Sequence, residues 1–319
     1  MMVPIWRCIV FALAALAISK TLCAQAITVV LLGTGSPEPA IDRFGPATLV
    51  EAGGQRFLID AGRGVTQRLW QHSLRIGEIS TVFLTHLHSD HTVGLPDLWL
   101  SGWLQTRFGR RASPLRVLGP TGTAALVRGL RDAYTGDLRA RPESTALDSA
   151  AAVEGQDVEE GVVYDRGGVR VTTFNVDHGS PPIPAVGYRV DFGGRSVVVS
   201  GDTRPSENLI RFARGADLVV HEVMAFFPEA QSAPATRRIV ASHTSPEQAG
   251  RVFAAVNPKL AVFTHVSLVA VPERRQTLLD SILPWTRRTH SGRVVIGEDL
   301  MTIIVGDTIE VRRRSDNIR

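Results

Sequence analysis

The sequence predicts an α+β protein made of two similar β-rich halves with flanking helices. Three observations carry that prediction. Short runs rich in Val, Ile and Leu, bounded by Gly, Pro, Asn or Asp, recur along the chain. Segments with helical spacing alternate with them in both halves. Side chains able to ligate a metal fall repeatedly at the C-terminal ends of the strand runs.

In chain order, the first half predicts strands near 27–33, 47–52, 55–60, 80–85 and 115–119, each apolar and β-branched, with helices near 63–72, 94–107 and 121–135. The second half predicts strands near 161–164, 169–176, 185–192, 195–200, 217–220 and 260–264. Helices at 205–213, 246–256 and 272–283 accompany them, and a final hairpin covers about 293–311. Ser245 caps the 246–256 helix and Pro246 opens it. Gly53-Gly54 and Gly193-Gly194 stand between alternating runs and predict hairpin turns. The stretch 140–152 lacks strong periodicity and reads as a surface connection between the halves. There is no tandem repeat or low-complexity tract.

The segment Thr85-His-Leu-His-Ser-Asp-His-Thr-Val-Gly94 crowds His86, His88, Asp90 and His91 into six positions. A solvated loop with chance histidines is the bland alternative, but three of the nine histidines fall here. The preceding run Ser80-Thr-Val-Phe-Leu-Thr85 has the character of a buried strand, which puts the ligands on the loop at its C-terminal end. Imidazole and carboxylate together suit zinc, iron or manganese. His86 and His88 can face one metal while Asp90 and His91 turn toward a second. His178, Asp202 and His265 each close a further strand run. Singly, each is more often a cap or turn residue; the repetition argues for one shared site.

The His-x-His-x-Asp-His block, His178, Gly201-Asp-Thr203 and His265 resemble the metallo-β-lactamase superfamily over nearly all of the chain after residue 26. The resemblance implies a four-layer αβ/βα sandwich, with a single hydrolase domain over 27–319 and a dinuclear metal site along one edge. By position, His86, His88 and His178 would hold the first metal, Asp90, His91 and His265 the second, and Asp202 would bridge them. Two Zn2+ are implied, with Mn or Fe as alternatives, and the resemblance allows a homodimer.

Leu31-Leu-Gly-Thr-Gly-Ser-Pro37, His221-Glu222 and His243-Thr-Ser245 are similar to the ribonuclease Z and arylsulfatase branch of that superfamily. There the resemblance implies that Glu222 orients His243 toward the leaving group, and that Asp90 orients the attacking hydroxide. The bridging Asp202 argues against β-lactamase activity. The tRNA-processing members insert a long arm between the motifs of His178 and Asp202, where this chain has room only for Pro184–Arg195.

Arg7 precedes the apolar run Cys8–Ile18, and Ala24-Gln-Ala26 has the small-x-small form of a signal-peptidase site, so residues 1–26 predict an export signal. The apolar run is short for a membrane span, so no stable anchor is expected after cleavage. Cleavage would remove Cys8 and Cys23, the only cysteines, leaving a periplasmic or secreted enzyme whose site uses nitrogen and oxygen ligands alone. Roughly 290 residues would remain, enough for one large core. The formal charge of +4 includes Arg7 and Lys20, so the mature chain carries +4 − 2 = +2. Charges of both signs are spread along it, and nucleic acid is not favoured as a partner.

The expected activity is therefore zinc-dependent hydrolysis of a small anionic ester, an aryl sulfate or relative, by a metal-bridging hydroxide. The alternative is a zinc phosphodiesterase, either a ribonuclease Z-like endoribonuclease or a cyclic-nucleotide phosphodiesterase. A scaffold with a degenerate site would have lost a ligand, and an iron redox member would carry a flavin domain. Trp99, Trp103 and Phe108 read as core, with a lining for an aryl group as the sharper alternative. Arg107–Arg111 reads as a solvated loop that could draw an anion.

Overall fold

A computed structural model describes residues 25–141, 151–179 and 183–313. The expected export segment lies outside the described residues except for Gln25 and Ala26. Among the described residues, no helix is long and apolar enough to cross a membrane.

Two sheets pack face to face. The first runs β15 (Ile309–Arg312), β14 (Met301–Val305), β1 (Ile27–Gly33), β2 (Ala47–Ala52), β3 (Gln55–Ile59), β4 (Thr81–Phe83), β5 (Leu115–Gly119) and β6 (Val153–Asp157). The second runs β13 (Val294–Ile296), β12 (Leu260–Val269), β11 (Leu218–Phe226), β10 (Arg195–Val199), β9 (Val186–Phe192), β8 (Val169–Asn175) and β7 (Gly161–Arg166). Val29 and Leu31 of β1 pack with Val171, Val197 and Val220 of the facing sheet. Their neighbours Val30 and Leu32 point the other way, into a core with Leu69, Leu98 and Trp99. On the far side, Val198, Val219 and Phe263 meet Leu209, Phe253 and Ile282. The layers are thus helix, sheet, sheet, helix. Burial on both faces explains why the central strands read as continuous apolar runs rather than alternating ones.

Strand direction positions the site. β3 to β6 are parallel, as are β10 to β13. β8 shares the direction of β10 because both are antiparallel to β9. Strand ends and the loops that follow them therefore collect on one edge, where ligands bind in sheets of this kind. The paired glycines form the predicted turns, with φ of 55° and 74° at Gly53 and Gly54, a conformation that side-chain-bearing residues avoid.

Four sequence expectations change. The strands expected at 217–220 and 260–264 continue to Phe226 and Val269, because His221, Glu222, Thr264 and His265 are polar residues inside fully buried strands. The segment 293–311 is not one hairpin: Val294–Ile296 pairs with β12 in the second sheet, and the chain then crosses to the first sheet for the β14–β15 hairpin. Val153–Asp157 is an unpredicted edge strand in which only Val153 is buried, so no apolar alternation marks it. Pro234–Ala241 is an unpredicted helix with no buried residue, and hence no apolar stripe.

Trp99 and Trp103 are 1% and 0% exposed and belong to the core. Arg111 is buried too, donating to the carbonyls of Ile79, Trp99 and Leu98 at 2.9, 3.0 and 2.7 Å. It ties a helix end to the start of β4 and is not available to attract an anion.

Candidate metal centre

The loop after β4 turns at once into the short helix Ser89–Thr92, which buries Asp90 and His91 while leaving His88 exposed. His178 arrives from the loop after β8, Asp202 from the loop after β10, and His265 from within β12. The seven expected ligands meet in one cluster. Nitrogen or oxygen atoms of His86, His88 and His178 form one group that could hold a metal; Asp90, His91 and His265 form another; His86, His91 and Asp202 form a third between them.

Hydrogen bonds on the outer side of the rings fix which nitrogen faces inward. Nδ1 of His91 donates to Asp60 Oδ2 at 2.8 Å, and Nδ1 of His178 donates to the Ser242 carbonyl at 3.1 Å. Thr85 spends its hydroxyl proton on Asp60 Oδ2, so it accepts from His86 Nδ1, 3.1 Å away. The Nε2 lone pairs of these three rings therefore point into the cluster. His88 Nδ1 lies 2.9 Å from His86 Nε2 and 3.2 Å from His178 Nε2. Asp202 Oδ2 stands 3.2 Å from His265 Nε2, 3.5 Å from His91 Nε2, 3.9 Å from His86 Nε2 and 4.0 Å from His178 Nε2. Asp90 Oδ2 is 3.3 Å from His265 Nε2 and 3.5 Å from His91 Nε2. His91 Nε2 and Asp202 Oδ1 are buried without a hydrogen-bond partner. Lone pairs crowded together at such distances repel unless a cation lies among them, so the donor set fits divalent metal.

The electrostatics agree. Burial, helped by the neighbouring His91, holds His86 well below the ordinary imidazole range, and burial likewise lowers His88 and His178. Neutral imidazole is the form that ligates. Burial alone would raise Asp202, but His265 and His91 outweigh it and hold the carboxyl well below its usual range. Burial also opposes charge on His91, yet Asp202 and Asp60 hold that ring well above its ordinary value, so with no cation among these carboxylates a proton is favoured at Nε2, in the place a metal would take. The cluster attracts cations.

Beside it stands the expected Glu222–His243 pair. Glu222 Oε1 accepts from His243 Nδ1 and from the backbone N–H groups of Thr203 and Thr244, each at 3.1 Å. Burial works against charge on His243, but Glu222 and then Asp202 outweigh it and push the ring up to about 9. His243 Nδ1 is 3.9 Å from Asp202 Oδ2, within reach of the cluster. His221 is not part of it: it is fully buried, donates from Nδ1 to the Glu222 carbonyl and packs on Phe253.

Sequence reasoning missed Asp60, which takes Thr85 N–H at 2.8 Å as well as the Thr85 hydroxyl and His91. Its left-handed φ of 63° is a strained conformation for a residue other than glycine. The close approach of loops beneath the ligands also requires glycine: a Cβ on Gly62 would lie 2.6 Å from the Asp90 carbonyl oxygen.

The sandwich and its edge cluster define a metal-dependent hydrolase. The chain belongs to the metallo-β-lactamase superfamily: the sequence profile of the Beta-lactamase superfamily domain matches residues 55–266. It is 39% identical over 287 residues to a ribonuclease Z of Mycobacterium avium, covering 88% of this chain and 98% of that one. It is 37% identical over 287 residues to a ribonuclease Z of Mycobacterium marinum, covering 88% and 99%. In structure it is similar to the metallo-β-lactamase fold protein YhfI of Bacillus subtilis, with TM-score 0.68, 19% identity and 88% and 99% of the two chains covered. The short form of human tRNase Z matches with TM-score 0.62, 23% identity and 86% and 98% covered.

These relatives correct two expectations. An arylsulfatase acting on a small anionic ester is displaced by the ribonuclease Z likeness along nearly the whole chain, and the exclusion of nucleic acid as a partner falls with it. The short segment between His178 and Asp202 was a poor discriminator. The Mycobacterium avium ribonuclease Z aligns with this chain over 98% of its own length, which leaves no room for a long insert between them. The spread of charge along the sequence was equally uninformative, because it does not report which groups share a surface.

Proposed function

We propose that this chain is a zinc-dependent phosphodiesterase that cuts RNA, an endoribonuclease of the ribonuclease Z type, and that a tRNA precursor is its substrate. The observation that carries the catalytic part is the convergence of four imidazole Nε2 atoms on Asp202 Oδ2 within 4.0 Å. The RNA part rests on relatives at 37–39% identity named ribonuclease Z.

In this reading His86, His88 and His178 would hold one zinc and Asp90, His91 and His265 the other, with Asp202 available to either group. When bound, such a pair supplies Lewis-acid stabilisation of phosphoryl oxygens and acidifies water toward neutrality. Asp90 is held ionised by His265 and His91 against the effect of burial, so it can accept a hydrogen bond from the attacking water and set its direction. His243 commits Nδ1 to Glu222, which leaves Nε2 to give its proton to the departing ribose oxygen. Glu222 is a positioning residue whose three hydrogen bonds to Oε1 fix the ring and favour its charged form. No protein nucleophile is needed.

The class of reaction is tested by following a bis-aryl phosphodiester with metal-free protein during stepwise addition of zinc. Turnover that rises with the second equivalent supports the reading. Turnover independent of metal contradicts it.

A further inference from the structure

His265 occupies an unusual place in β12. Thr264 pairs with Glu222 and Val266 with Val223, so the register slips and His265 is left as the extra residue of a bulge. Its φ is 44°, a left-handed conformation that a histidine adopts only when its surroundings impose it. The imposition is visible one residue on: the Val266 N–H donates to the Thr34 carbonyl at 2.8 Å, out of the second sheet and across to the loop that follows β1.

Thr34 is itself held by two side chains, Asp299 and Arg43, and Arg43 Nη1 donates to the Thr34 hydroxyl at 2.8 Å. Asp299 Oδ1 accepts the Thr34 N–H at 2.9 Å and its hydroxyl at 2.8 Å. Oδ2 of the same carboxylate accepts the Phe44 N–H at 2.8 Å and Arg68 Nε at 3.0 Å, with Arg68 Nη2 at 2.9 Å. Thr34, Arg68 and Asp299 are 0%, 4% and 8% exposed. Asp299 lies where the chain crosses from β13 in one sheet to β14 in the other, and its carboxylate ties that crossing to the loop after β1, whose Thr34 carbonyl reaches the bulge in the second sheet.

We propose that Asp299 is a positioning residue for His265: by clamping Thr34 it fixes the Val266 N–H, holds the bulge, and aims His265 Nε2 at Asp90 and Asp202. The proposal rests on the reading of His265 as a ligand of the second metal. Arg68 neutralises the clamp and does not act on the metal. An outer group that orients a ligand typically contributes about 10–100-fold to metal affinity.

The test is a zinc titration of the metal-free full chain against a chromophoric chelator, with near-ultraviolet circular dichroism to score folding. The variants are Asp299→Ala, the double variant Arg68→Met with Asp299→Ala, and His265→Ala. The double variant removes the buried Arg68–Asp299 pair together, while the half-buried Arg43 keeps its bonds to the Thr34 hydroxyl and the Gly297 carbonyl, and it serves should Asp299→Ala fail to fold. The expected result is one zinc bound as in the wild type and the second bound about 10–100-fold more weakly in either folded Asp299 variant. His265→Ala is expected to lose the second zinc. Unchanged affinity for both zincs in a folded Asp299 variant, alongside loss of the second in His265→Ala, overturns the positioning role alone. Equal weakening of both zincs also overturns it, as a general structural role would act on both. Two zincs retained by His265→Ala would remove the ligand reading, and this inference with it.

Discussion

Glu222 Oε1, fully buried in β11, accepts a hydrogen bond from His243 Nδ1 at 3.1 Å, and the same oxygen anchors the backbone of Thr203 and Thr244. One carboxylate thus ties the loop of Asp202 to the loop of His243. His243→Ala should leave metal content intact and slow turnover by about 10²–10⁴-fold, with the largest losses on phosphodiesters that have poor leaving groups. Rates for a series of aryl diesters of graded leaving-group pKa check this. Equal losses across the series would remove the proton-donor role.

Asp202 is the acceptor on which the rings converge, so Asp202→Ala should do more than slow the chemistry. Elemental analysis of the purified variant should find less than two equivalents of zinc per chain, and turnover should be nearly absent. Full metal content in an inactive variant would confine Asp202 to the reaction itself.

Arg111 is a stability element. Its guanidinium is bonded to three main-chain carbonyls in the core, and burial pushes it down to about 10. Arg111→Ala should cost about 3 kcal/mol or more, given that hydrogen bonds to charged groups contribute about 1.5–3 kcal/mol each. Gly102→Ala should also destabilise, because a Cβ there would lie 2.0 Å from Arg111 Nη2. Thermal denaturation measures both, and an unchanged Tm in either would contradict this account of the helix end.

Residues 1–26 carry the pattern of an export signal. If that signal is cleaved, the mature chain is recovered from outside the cytoplasm of an expressing bacterium and begins at Ile27, away from any tRNA precursor; the substrate proposed above requires cytoplasmic protein. N-terminal sequencing decides it. Retention of Met1 on cytoplasmic protein would show instead that the segment is not processed.

Much of the site was legible because its ligands sit in a compact motif and at the ends of apolar runs, where strand direction alone gathers them on one edge. Ser245 and Pro246 announced their helix through local chemistry, and the capping box with Gln248 is formed. What stayed hidden depends on contacts between distant segments. Asp60 looks like the polar end of a strand until Thr85 and His91 close over it. Asp299 looks like a turn residue until Thr34, Phe44 and Arg68 arrive. The bulge at His265 leaves no trace in the residue pattern because the strand is buried on both sides of it. The substrate class was misjudged for a related reason: the absence of an expected insert and the overall charge balance say little about what a surface binds.

A tRNA precursor carrying a 3′ extension, incubated with the zinc-loaded chain and in parallel with the Asp202→Ala variant, decides the proposed activity. The expected result is endonucleolytic cleavage at one defined phosphodiester, abolished by a chelator and absent in the variant. Intact precursor under conditions where the same preparation hydrolyses a bis-aryl phosphodiester would contradict it, leaving a phosphodiesterase with a substrate other than tRNA precursors.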